Sequence, residues 1–168
     1  GYYARRFGVE LDPETEVIAT LGSKEGLANL AQAITAPGDV VLTPNPSYPI
    51  HAFGFIIAGG ALRHLPALHD GRFDPERYLR EVDHAAHHTV PAPTALVVSF
   101  PSNPTAQVCD LDFYRELIAL AKRHDIWVLS DLAYAEIWFE SPPPSILQVA
   151  GAREVAVEFT SLSKTYSM

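Results

Sequence analysis

The stretch from Ala95 to Asp131, ALVVSFPSNPTAQVCDLDFYRELIALAKRHDIWVLSD, decides the fold. Ala95–Phe100 is a short run dominated by apolar and β-branched residues, and Pro101 to Pro104 can continue neither helix nor sheet. Leu111–His124 then places Tyr114, Leu117, Ile118 and Ala121 at offsets of three, four and seven, the apolar stripe of an amphipathic helix. Trp127–Asp131 returns to strand composition. A strand, a helix and a second strand in this order are the signature of an α/β domain with a largely parallel sheet.

The same alternation runs outward in both directions. Candidate strands are Val17–Leu21, Val40–Thr43, Ala61–Leu65, Ala95–Phe100, Trp127–Asp131 and Val155–Thr160, a sheet of ordinary size. Glu25–Ala36 reads as a helix closed by Pro37-Gly38, and Asp74-Pro75-Glu76 supplies an N-cap with Pro at N1 for a helix through about Ala86. With helices covering the sheet faces, the expected architecture is a three-layer α/β/α domain. Pro44–Pro49 and Pro142–Pro144 mark loops, and the His- and Pro-rich segment Asp83–Thr94 reads as a surface connection. No internal repeat or domain boundary is visible in the 168 residues, so one sizeable core is expected.

Composition excludes several functions. There are 12 Lys plus Arg against 20 Asp plus Glu, a formal charge of −8, which argues against a nucleic-acid surface built on a basic stripe. The longest uncharged apolar run, Ala52 to Leu62, is shorter than the roughly 20 residues that cross a bilayer, and glycines interrupt it, so no membrane span is expected. The single Cys109 cannot form an internal disulfide and no basic-then-apolar leader opens the chain, which makes the cytoplasm the expected compartment. The chain starts at Gly1 without a Met and stops at Met168 just after a Ser- and Lys-containing motif. It reads as a fragment of a longer protein.

Polar clusters fall directly after the candidate strands: Gly22-Ser23-Lys24, Asn45 to Tyr48, Ser102-Asn103-Pro104, Asp131, and Ser161 to Lys164. Ligands of open α/β sheets bind outside the carboxyl ends of the strands, so these loops should converge on one crevice. The Gly-Ser-Lys turn at a helix N-terminus suits a phosphate, though it is equally an ordinary Ser N-cap. Lys164 can form a Schiff base if its ammonium is partly desolvated; its plain alternative is a solvated loop lysine. Asp131, ending a buried strand, needs a partner. A protonated pyridine nitrogen is one, and the amide of the following turn is another.

Five segments together carry a resemblance: Gly22-Ser23-Lys24-Glu25-Gly26, Asn45-Pro46-Ser47-Tyr48-Pro49, Phe100-Pro101-Ser102-Asn103-Pro104-Thr105, Ser130-Asp131-Leu132-Ala133-Tyr134 and Ser161-Leu162-Ser163-Lys164. In order and spacing the chain resembles the class I/II, fold-type I, pyridoxal-phosphate aminotransferases over essentially its whole length. Within them it looks closest to the alanine-synthesising (glutamate–pyruvate) branch, with the diaminopimelate and aspartate aminotransferases nearby. The resemblance implies that residues 1–168 are the central part of the large, cofactor-binding domain, with the small domain largely absent. It implies pyridoxal 5'-phosphate as cofactor, an L-amino acid and a 2-oxo acid as substrates, and a homodimer.

Carried over residue by residue, the resemblance makes Lys164 the covalent anchor of the cofactor and the proton shuttle. Asp131 pairs with the pyridine N–H, where an adjacent anion favours the protonated, electron-withdrawing ring. Asn103 and Tyr134 hydrogen-bond the ring's 3′ oxygen, and Tyr48 stacks on its face. Gly22, Ser23, the Lys24 backbone, Ser161 and Ser163 hold the phosphate. Catalysis thus falls to Lys164, Asp131 and Tyr134. The family also has an Arg on the phosphate just after the lysine, an Arg near the C-terminus for the substrate carboxylate, and an upstream Tyr that reaches the partner's phosphate. All three would lie outside this chain.

Competing patterns are weaker. Ser161-Leu162-Ser163-Lys164 fits the S-x-x-K of acyl-serine enzymes and Ser130-Asp131 resembles their S-D-N, but the order is reversed and Lys164-Thr165 reuses the same lysine. His84, His87 and His88 share helix spacing, yet no carboxylate or Cys pattern completes a metal site, so a solvated helix end is expected. His51 reads as a structural residue of its turn. Carbon–sulfur lyases of the same fold type, and transcription regulators that use this domain to bind an effector, share the cofactor shell and stay open as alternatives.

Overall fold

The computed structural model describes residues 1–168. Five parallel strands, β1 (Val40–Asn45), β2 (Ala61–Pro66), β3 (Pro93–Ser99), β4 (Trp127–Asp131) and β5 (Ala156–Phe159), form one sheet in the order β2-β1-β3-β4-β5. The helices are α1 (Tyr2–Phe7), α2 (Ser23–Ile34), α3 (Ile50–Ile57), α4 (Pro75–His88), α5 (Leu111–His124) and α6 (Leu162–Tyr166).

The strand period of two sorts the core into two layers. Val41, Ala95, Val97 and Leu129 face one side and pack with Leu27 and Ala31 of α2 and Phe55 of α3. Leu42, Leu96, Val98 and Val128 face the other and pack with Tyr78, Leu79 and Val82 of α4 and Phe113, Tyr114, Leu117 and Ile118 of α5. Each of these fully buried aliphatic side chains contributes about 1.5–3 kcal/mol relative to exposure. Residues 95–131 therefore form the β3-α5-β4 unit their composition predicts. Asp110 caps α5 by accepting the Phe113 N–H at 2.8 Å, and Lys122, Arg123 and His124 complement the negative end of its dipole. α4 starts as predicted, with Asp74 accepting the Arg77 N–H at 3.0 Å and Pro75 at N1.

Four expectations need correction. Val17–Leu21 is not a sixth strand: it is extended but pairs with nothing, and Val17, Ile18 and Leu21 are exposed. Its β-branched composition fits a strand, but a ladder needs a neighbour and the sheet ends at β5. Pro44 does not start a loop, because β1 runs on to Asn45. Its pairing with β3 ends at Leu42, so the missing Pro44 N–H falls where β1 is paired on the β2 side alone. The segment from Asp83 is not a connection but the last turns of α4, held by burial of Ala85 and Ala86 and ended at Thr89. Ser161 to Lys164 is not a loop either; it opens α6, where the Ser161 hydroxyl accepts the Ser163 N–H at 3.3 Å.

Helix α3 was not anticipated. Its residues are apolar all round except His51, so no amphipathic stripe marks it. Gly54 makes it fit: a Cβ there would stand 3.4 Å from a Leu27 methyl, and its absence lets α3 lie close against α2. No helix is long and apolar enough to cross a membrane.

Candidate active site

Parallel pairing sets the site. Ser99 is in register with Asp131, and Asp131 with Phe159, so β3, β4 and β5 end level with one another. The loops that leave these ends, joined by the start of α2 and the turn after β1, enclose a cleft lined by Ser23, Lys24, Tyr48, Ile50, Ser99, Asn103, Asp131, Ala133, Tyr134 and Lys164. The convergence expected from the sequence is therefore realised for Ser23, Lys24, Tyr48, Asn103, Asp131, Tyr134 and Lys164. Gly22, Ser161 and Ser163 flank the cleft without lining it. Gly22 is the N-cap of α2 at φ 101°, a backbone conformation side chains disfavour, which is why glycine precedes Ser23. Ser161 spends its hydroxyl capping α6.

The cleft has two chemically distinct ends. At one, α2 begins with unpaired backbone N–H groups and the Lys24 ammonium lies 5.4 Å from the Tyr48 ring centroid. Hydrogen bonding with Tyr48 raises the pKa of Lys24, so the cation persists at this end. Glu25 reaches back to accept the Leu21 N–H at 2.5 Å and does not line the cleft. This end suits an anion such as a phosphate.

At the other end Asp131 is 8% exposed. Its Oδ1 accepts the Ala133 N–H at 3.1 Å and its Oδ2 accepts Nε2–H of His51 at 2.8 Å. Both readings of Asp131 thus hold at once: it caps its own turn and it presents a buried carboxylate to the cleft. Each oxygen retains capacity for a further donor, so a cationic ring N–H could be received here.

His51 is the functional residue that the sequence reading undervalued. It is fully buried, 80 positions before Asp131, and its ring packs edge-on to Tyr48 at 6.0 Å between centroids. Its one local signal was being the sole polar side chain of α3, one turn past Tyr48. With Nε2–H committed to Asp131, the imidazole orients the carboxylate and keeps a positive hydrogen beside it.

Between the ends, the Asn103 side-chain amide donates to the Tyr134 hydroxyl at a long 3.4 Å, and Lys164 Nζ stands 6.0 Å from the Tyr134 ring centroid. Lys164 is exposed rather than partly desolvated. Away from the cleft, the fold does complete a cluster around one of the α4 histidines: Asp83 and His124 join His87, contrary to the expectation that no carboxylate is in place.

Comparison with known proteins agrees with this geometry. The chain is 64% identical over 168 residues to a putative aminotransferase, AatC, of Rhizobium meliloti. It is 49% identical over 168 residues to the glutamate-pyruvate aminotransferase AlaC of Escherichia coli, and 46% identical over 173 residues to an LL-diaminopimelate aminotransferase of Desulforudis audaxviator. Each alignment covers 99% of this chain but only 40%, 40% and 42% of the relative, so the chain spans about two fifths of their length. Substrate-bound BacF from Bacillus subtilis superposes with a TM-score of 0.87 at 35% identity, covering 99% of this chain and 41% of that one. The sequence model of the aminotransferase class I and II family matches residues 2–168. By sequence and by fold alike, this chain belongs to the class I and II aminotransferases.

Proposed function

We propose that this chain is the central part of the large domain of a pyridoxal-phosphate-dependent aminotransferase, which moves an amino group between an L-amino acid and a 2-oxo acid. The observation that carries the reading is the buried Asp131 carboxylate facing the same cleft as Lys164, with Ser23 and Lys24 at the start of α2 lining that cleft too. That donor set fits a phosphorylated pyridine aldehyde: an anion site for the phosphate, a carboxylate for the ring N–H and an amine for the carbonyl carbon. Ser23 and the α2 N-terminus would hold the phosphate, with Ser161, Ser163 and Gly22 as flanking contributors. Tyr48 would cover a ring face, and Asn103 and Tyr134 would hold the ring oxygen.

When bound, the cofactor supplies an electron-withdrawing ring that stabilises negative charge at the substrate α-carbon. Asp131 would keep that ring cationic, and His51 together with the Ala133 N–H holds the carboxylate in place. Lys164 Nζ would anchor the group covalently and would supply the base for the substrate α-proton. Asn103 and Tyr134, in contact with each other, would orient the ring relative to Lys164.

For substrates we infer alanine and pyruvate paired with glutamate and 2-oxoglutarate, in a cytoplasmic homodimer. The five ordered motifs support the family, and the 49% identity to a glutamate-pyruvate aminotransferase supports this branch; LL-diaminopimelate aminotransferases at 46% are the competing branch. A single-turnover assay on the full-length holoenzyme with a panel of amino acids tests the reading. It should release one equivalent of pyruvate from alanine with no ammonia. Ammonia and pyruvate from a sulfur amino acid would point to a lyase, and no product from any amino acid to an effector-binding domain; either would overturn the proposal.

A further inference from the structure

Helices α4 and α5 lie side by side and end together, and none of the residues at that end lines the cleft. At this shared end, one ligand atom each from Asp83, His87 and His124 lies within 4.8 Å of the others. The His124 Nε2–H donates to Asp83 Oδ1 at 2.8 Å, His87 Nδ1 is 3.7 Å from the same oxygen, and the two imidazole rings meet edge to face at 4.6 Å between centroids. We propose that these three residues form a binding site for a zinc-class divalent cation, which clips the C-terminal end of α4 to that of α5.

Three physical features support the site. The donor set is two imidazoles and one carboxylate, which suits a borderline metal such as zinc and not magnesium or calcium, whose sites are built from oxygen. His87 is the penultimate residue of α4 and His124 the last of α5, so the carbonyl-rich negative ends of two helix dipoles point at the same place. The third feature is adjustability. Tetrahedral zinc with bonds of about 2.0–2.1 Å needs its ligand atoms roughly 3.3 Å apart. Side-chain exposures of 55% for His87 and 39% for Asp83 leave room for the rotamer change that closes the gap.

The exchange balances. The proton that His124 Nε2 now shares with Asp83 is released to solvent or moves to Nδ1, the Nδ1–H that His87 now donates to the Asp83 carbonyl at 2.9 Å is likewise released or moves to Nε2, and the metal takes its position between the two nitrogens and the carboxylate. Arg123, whose guanidinium is 3.7 Å from Asp83 Oδ1, is 64% exposed and can swing into water. Three protein ligands leave one coordination position for water. His84 and His88 stack on each other at 4.1 Å one residue along the helix and lie outside the ligand set, which makes them internal controls.

The test uses the full-length protein, stripped with a chelator and titrated with zinc chloride by calorimetry, alongside thermal melts with and without zinc. Saturable one-to-one binding is expected. It should weaken at least tenfold in His87→Gln and in His124→Gln and stay unchanged in His84→Gln, with magnesium giving no heat. Zinc should raise the melting temperature of the wild type but not of His87→Gln, a half-exposed position whose replacement leaves the core untouched. Absence of saturable binding, or binding that survives both His87→Gln and His124→Gln, or that falls in His84→Gln alone, would overturn the proposal.

Discussion

Asp131 is held by two donors and is nearly buried, so its replacement separates folding from chemistry. Asp131→Ala leaves the His51 Nε2–H unpaired, at a cost of about 1–3 kcal/mol of stability. It also removes the anion proposed to keep a bound pyridine ring cationic, an electrostatic loss expected to lower kcat roughly a hundredfold or more. Steady-state rates and melting curves on the full-length variant check both parts; an unchanged kcat would remove Asp131 from the mechanism. Tyr48, Asn103, Asp131, Tyr134 and Lys164 were all readable from local motifs. The His51 contact was not, because it joins positions 80 residues apart and a buried histidine in an apolar stretch is locally indistinguishable from a packing residue.

At the scale of elements, Glu158 of β5 ties together parts of the chain that the sheet alone does not. Its carboxylate accepts from Tyr3 of α1 at 2.8 Å, Ser130 of β4 at 3.1 Å, the Ser145 hydroxyl at 2.5 Å and the Ile146 N–H at 3.1 Å. Desolvation outweighs these four donors and raises its pKa above the ordinary glutamate value of 4.5. A folded-state pKa above the unfolded one means the native protein binds the extra proton. The stability linked to it is fully present below about pH 4.5 and is lost as pH rises through the folded value. Glu158→Gln is neutral throughout, so the melting-temperature advantage of wild type over the variant should shrink as pH rises from about 4.5 towards neutrality. An advantage that grows over that interval would contradict the desolvation argument. The elements themselves were legible where one face is apolar and the other polar, as in α4 and α5. They were misread where composition lacked that contrast: the apolar α3 showed no stripe, and Val17–Leu21 had strand residues but no strand beside it.

At the scale of the whole molecule, one regularity organises the function. Parallel strands ending in register bring residues from five separate segments, spread over 142 positions from Ser23 to Lys164 inclusive, to a single cleft. The placement of polar clusters after strands revealed this convergence for the turn after β1 and for Asn103, Asp131 and Lys164, whereas Ser23 and Lys24 reach the cleft from the start of α2 with no strand before them. The pairing of α4 with α5 that gathers Asp83, His87 and His124 depends on tertiary packing and leaves no local trace. The proposed function requires Lys164 to be the amine that engages the cofactor in this cleft. Borohydride reduction of the full-length protein after loading with pyridoxal phosphate, followed by peptide mass analysis, tests it most directly. The account predicts a stable pyridoxyl label on Lys164; a label on Lys24, on Lys122 or on a lysine outside this chain, with Lys164 unmodified, would contradict it.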